Sequence, residues 1–82
     1  MGATKSIWME CEATANECSG NWKKGLMNLR IDWLEPSAGY TFDVWAWVNT
    51  RAEFIIAQFD NTDDLAIFVK GILAAGYTKV KE

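Results

Sequence analysis

The sequence contains no histidine, a single proline, two cysteines and a net charge of only −3. The lack of histidine removes the side chain most often used as a general base and as a metal ligand. No Gly-x-x-x-x-Gly-Lys-Ser/Thr loop is present to cradle a phosphate. A pair of carboxylates can serve a hydrolase, but eleven acidic side chains in 82 residues form pairs by chance. A domain this thin also offers little cavity for a substrate. The expectation is a protein that is not an enzyme and takes no cofactor and no metal. Cys11 and Cys18 fit neither a Cys-x-x-Cys pair nor a four-ligand zinc site. They are either reduced thiols or a bridge, the latter only if the fold brings their Cα atoms within about 7 Å.

Long apolar runs are missing too. None approaches the roughly 20 residues needed to span a bilayer, and the opening MGATKSIWMECEA has no apolar core of a signal peptide. A cytoplasmic protein is expected, with no membrane partner. Basic residues are few, eight against eleven acidic. Nucleic-acid binders draw affinity from Lys and Arg neutralising phosphates, so no direct nucleic-acid contact is expected.

What remains is globular: half the residues are hydrophobic and 23% charged, enough for one domain over 1–82. Residues 6–13 alternate Ile7, Met9, Cys11 and Ala13 against Trp8, Glu10 and Glu12, the period of a strand. Residues 14–25 are polar and glycine-rich and read as a long connection, with room for a helical turn ending at Gly20. Residues 26–34 alternate Met27, Leu29, Ile31 and Trp33 against Asn28, Arg30 and Asp32. After the EPSAG turn, YTFDVWAWVNT places Tyr40, Phe42, Val44, Ala46 and Val48 on one side. Thr41, Asp43, Trp45, Trp47 and Asn49 fall on the other.

Pairing residue i with 73 − i sets Arg30 against Asp43. The register 75 − i sets Asp32 against Asp43, and like charges directly opposite are unfavourable, so the first register is expected. Residues 52–60, AEFIIAQF followed by Asp, form a fourth strand that is apolar on both sides and ambiguous in facing: Phe54 and Ile56 inward, or Ile55 and Phe59. The period then changes. Leu65, Phe68, Val69, Ile72 and Leu73 follow a helical stripe, with Asp, Asn and Thr to cap its start and Gly76 to end it. The closing TKVKE is a short lysine-guarded edge strand or a frayed tail. The fold class is α+β, a four-stranded antiparallel meander with one C-terminal helix packed on one face (β-β-β-β-α).

One helix, about 10 Å across, roofs one face of such a sheet. The more apolar face takes it, which leaves Trp45 and Trp47 on the other. Three covers are open for them: residues 14–25 with Trp22 folding across, a protein partner, or a second copy in a homodimer. With Arg30, Asp43 and Glu53 at its rim, such a patch resembles an interaction surface. Asp60, Asp63 and Asp64 have two readings as well. They cap the helix, or they form an anionic patch that steers the chain to a basic partner.

Residues 57–72, AQFDNTDDLAIFVKGI, are similar in layout to a segment of some small anti-CRISPR proteins. A last strand ends in Phe-Asp, and a Thr/Asp-capped helix with aromatic anchors follows. Phe59, Asp60, Thr62, Asp64 and Phe68 carry the similarity, and the overall format resembles a small phage or mobile-element protein. The resemblance implies a non-enzymatic inhibitor that docks on a CRISPR surveillance complex, blocks its basic DNA groove and works in the host-cell cytoplasm. It transfers no contact residues to this chain. The alternative is a structural or accessory domain that self-associates through its tryptophan-bearing face.

Overall fold

The computed structural model describes residues 13–34 and 41–81. The first described element is helical, residues 13–18 (α1), and it ends as the glycine requires. Ser19 donates its amide to the Ala15 carbonyl at 2.9 Å, and Gly20 takes φ 111°, a conformation closed to most side chains. Strand β1 (Gly20–Lys24) follows at once. A two-residue turn led by Gly25, φ 60°, feeds β2 (Met27–Leu34). Then come β3 (Thr41–Val48), β4 (Phe54–Phe59), helix α2 (Thr62–Ala74) and β5 (Thr78–Lys79). The strands form one antiparallel sheet in the order β4-β3-β2-β1-β5.

The α+β meander with a C-terminal helix on one face is therefore present, with two corrections. The strand expected at residues 6–13 lies outside the described residues apart from Ala13, which is helical. The stretch read as a connection instead holds α1 and β1. The sheet is also completed by a fifth strand, β5, hydrogen-bonded to β1, which raises the strand number from four to five and bears out the edge-strand reading of the closing TKVKE.

The register is a further correction. Asp32 stands opposite Asp43 and Arg30 opposite Trp45, the 75 − i pairing. The like-charge cost is relieved laterally. Arg30 Nε donates to both oxygens of Asp32, at 3.0 and 3.2 Å, and Gln58 Nε2 donates to Asp43 at 3.0 Å. In exchange Trp33 comes opposite Phe42, and their rings stack with centroids 6.3 Å apart. Because the two registers differ by two residues, the division into faces is unchanged.

The core forms on the Phe42 side. Phe42, Ile31, Val44 and Leu65 are almost fully buried. Ala15 and Cys18 of α1, Trp22, Leu29 and Ala46 of the sheet, and Val69 and Ile72 of α2 join them. Leu65, Val69 and Ile72 repeat at i, i+4 and i+7, whereas Leu73 falls outside the buried stripe, half-exposed. At the start of α2 the Asn61 side chain accepts from the Asp64 amide at 2.8 Å. At its end Tyr77 donates to Ile72 O and Gly76, φ 104°, to Leu73 O, the two bonds of a Schellman stop.

Helix α2 leaves β4 at one edge of the sheet and returns the chain to β5 at the other. Its thirteen residues give about 20 Å of helix, close to the about 19 Å between the outer strands of a five-stranded sheet. It thus runs obliquely from the Phe59–Phe42–Trp33 row to the end of β1. Eight-residue strands are about 27 Å long, so such a helix cannot cover their whole length.

Candidate interaction surface

Two apolar regions are left open. The first is the corner of the core-side face that α2 and α1 do not reach, where Met27 pairs with Val48 and Ala46 with Phe54. Leu26 in the adjoining turn is 65% exposed and Phe54 58%, with Met27 and Val48 also exposed. Sequence reasoning missed this corner. The signal available was the mismatch between helix breadth and strand length.

The second region is the outer face of the sheet. Trp45 and Trp47 are half-buried there, and among the described residues no element packs above them. Trp22 is not their roof. It pairs with Leu29, lies buried in the core on the opposite face, and donates its indole N–H to the Cys18 carbonyl at 2.9 Å. The possibility that residues 14–25 fold across Trp45 and Trp47 is overturned. Burial pushes the Cys18 thiol up, with Glu17 adding to the effect and Lys79 opposing it. Cys18 is a free thiol in the structure. Cys11 itself lies outside the described residues.

On the outer face Arg30 is the organising side chain. Its guanidinium carbon sits 5.6 Å from the Trp45 ring centre, within cation–π range. Nη1 and Nη2 reach the two oxygens of Glu53 at 2.5 and 3.1 Å, while Nε holds Asp32. The hydrogen bonding with Glu53 holds the guanidinium more firmly protonated; desolvation, next in size, opposes it, and the hydrogen bonding and charge of Asp32 add to the net upward shift. Trp45 is fixed between this clamp and Ile55 of β4, which stands directly opposite it. Trp47 follows two residues on, opposite Asn28.

The facing of β4 is neither of the two regular alternatives. The register slips between Val44 and Trp45, so Ala57 meets Val44 while Ile55 meets Trp45, and Ile56 has no residue opposite it. This bulge puts Phe59 and Phe54 on the core side together and Ile55 on the outer side. Phe59 packs against Phe68, ring centroids 5.5 Å apart.

The acidic residues gather at the other end of β3 and β4. Asp43 is tied to Gln58. Asn61 Nδ2 donates to Asp60 and to Asp64, both at 3.0 Å. Asp63 is exposed in the first turn of α2, where the helix dipole favours a negative charge. Asp43 is thus tied to Gln58, two residues before Asp60, whereas Arg30 belongs to the tryptophan cluster and not to Asp43. No described helix is long and apolar enough to cross a membrane. Comparison with protein-family models, curated proteins and solved structures finds no match.

Proposed function

We propose that this chain is a non-enzymatic inhibitor that works by docking on another protein. Trp45, Trp47 and Ile55 form the apolar centre of its contact surface, and Asp43, Asp60, Asp63 and Asp64 are its electrostatic guide. The observation that carries this reading is the outer face itself. Two tryptophans lie on one strand with Arg30 across the first of them, and no described element roofs them. Contact surfaces draw most of their affinity from large aromatic anchors, and side chains already held in place lose little freedom on binding.

The acidic corner fits a partner whose surface is basic, such as a groove that holds DNA. The similarity of residues 57–72 to small anti-CRISPR proteins makes a CRISPR surveillance complex the partner to test, with occlusion of target DNA as the mechanism. The experiment is a DNA-binding competition with a purified surveillance complex. The wild type should displace DNA, Trp45→Ala with Trp47→Ala should abolish that effect, and Asp63→Lys should slow capture chiefly at low salt. Wild-type inhibition that survives all of these changes removes this surface from consideration.

A further inference from the structure

We propose that α1 and β5 form one latch on the β1 side of the sheet, which opens and closes as a unit with Lys79 as its pin. The latch is separate from the docking surface, since the outer face plays no part in it. It follows from where the carbonyls at the end of α1 find their donors. The last four carbonyls of a helix have no partner within it. Here the Ala15 carbonyl takes the Ser19 amide just past the helix, at 2.9 Å. The Cys18 carbonyl takes the indole N–H of Trp22, at 2.9 Å. Between them, the Asn16 and Glu17 carbonyls both take Nζ of Lys79, at 3.2 and 2.6 Å. Every carbonyl of this last turn is satisfied, three of the four by side chains of β1 and β5.

Trp22 and Lys79 are themselves partners, directly opposite each other in the β1–β5 ladder. Residues paired in this way project to the same face of a sheet, so the two side chains meet the end of α1 together. The capping of the helix and the pairing of the strand thus share the same two residues.

Neither element stands alone. The described part of α1 is six residues long, and helices this short do not persist without tertiary support. Strand β5 is two residues long and holds β1 through two residue pairs, Trp22 with Lys79 and Lys23 with Thr78. The Val80 amide adds one bond, to the Asn21 carbonyl at 2.8 Å. With α1 away, the Lys79 ammonium loses both acceptors; with β5 away, two carbonyls of α1 lose their donor. Each half-open state is therefore penalised, and the two elements release together as one local unit. Release uncovers Ala15, Cys18 and Trp22 and bares the outer edge of β1, while β2, β3 and β4 keep their own pairings. The latch gates a thiol and a strand edge.

Native-state hydrogen exchange and thiol labelling, in a Cys11→Ser background, test this. The Ser19 amide, which closes α1, and the Val80 amide, which closes β5, should report one common opening, easier than that of Ile31 and Val44 at the centre of the sheet. Labelling of Cys18 by an uncharged thiol reagent should follow the same opening. Lys79→Met keeps the reach of the side chain and loses its charge. It should speed both amides and Cys18 labelling alike, by about tenfold, the scale of two exposed hydrogen bonds from a charged donor, with Ile31 and Val44 unchanged. Lys79→Arg, which keeps charge and donors, should recover most of the protection. Acceleration of one amide without the other, or of Cys18 labelling without either, overturns the proposal. So does equal acceleration at Ile31 and Val44, which would make α1 and β5 part of global unfolding, and so does a Lys79→Met variant that changes nothing.

Discussion

Asp32 and Asp43 stand directly opposite each other across the β2–β3 ladder, and each is held from the side, Asp32 by Arg30 and Asp43 by Gln58. The arrangement depends on the cation. Arg30→Met should lower stability to urea by about 1 kcal/mol, the scale of an opposite-charge cross-strand pair plus an uncompensated like-charge pair. Asp43→Asn should recover about half of that loss in the Arg30→Met background and change little in the wild type. Equal effects of Asp43→Asn in both backgrounds would show that the two carboxylates do not interact.

Trp22 and the outer tryptophans should part company in solution. In variants that keep one indole each, acrylamide should quench Trp45 and Trp47 appreciably and Trp22 hardly at all. Trp22→Phe loses the bond to the Cys18 carbonyl and some packing, about 1–2 kcal/mol, while Trp22→Ala should cost about 3–5 kcal/mol. Trp45→Ala should cost far less than Trp22→Ala, which denaturant melts of the two variants compare directly.

Capping and steering can be separated at the start of α2. Asn61→Ala removes the acceptor for the Asp64 amide and should cost about 1 kcal/mol of stability, with partner association rates unaffected once the protein is folded. Asp63→Lys should do the reverse: a small change in melting temperature and a salt-dependent fall in association rate.

The Cys18 thiol gives stability an alkaline limit. Its folded-state pKa is raised by burial, so the neutral thiol is favoured in the native state. That contribution is complete below the unfolded thiol value near 8.5 and is lost as pH climbs through the higher folded value. In a Cys11→Ser background, the melting temperature should fall from pH 8 to pH 10, and Cys18→Ala should flatten the decline. A thiol reagent should modify Cys18 slowly in the native protein and quickly in denaturant.

Periodicity made β2, β3 and α2 legible, because Leu29, Ile31, Phe42 and Val44 alternate at two residues and Leu65, Val69 and Ile72 recur at helical spacing. Gly20 and Gly76 marked two helix ends for the same reason, a backbone conformation closed to other residues. Strand β1 was hidden because GNWKK owes its place to a single buried side chain, Trp22, and to the short Gly25 turn. The register misled because pairwise charge was weighed without the lateral help of Gln58, which arrives only with β4. The facing of β4 could not be read by alternation at all, since one added residue at Ile56 exchanges the two sides midway. Of the candidate site, the pairing of Trp45 with Trp47 on one face was visible in the sequence. Arg30 and Glu53 were legible at its rim as well, but the Arg30 clamp on Glu53 and Asp32 was not, because the expected register set Arg30 against Asp43.

The oblique run of α2 makes the helix a ruler for the sheet. Each added strand widens the sheet by about 4.8 Å, the rise of about three helical residues. Inserting one turn into α2 should therefore carry Thr78–Lys79 past β1, and deleting one should leave it short. The number of strands this chain can hold is thus written in the length of a segment that belongs to none of them.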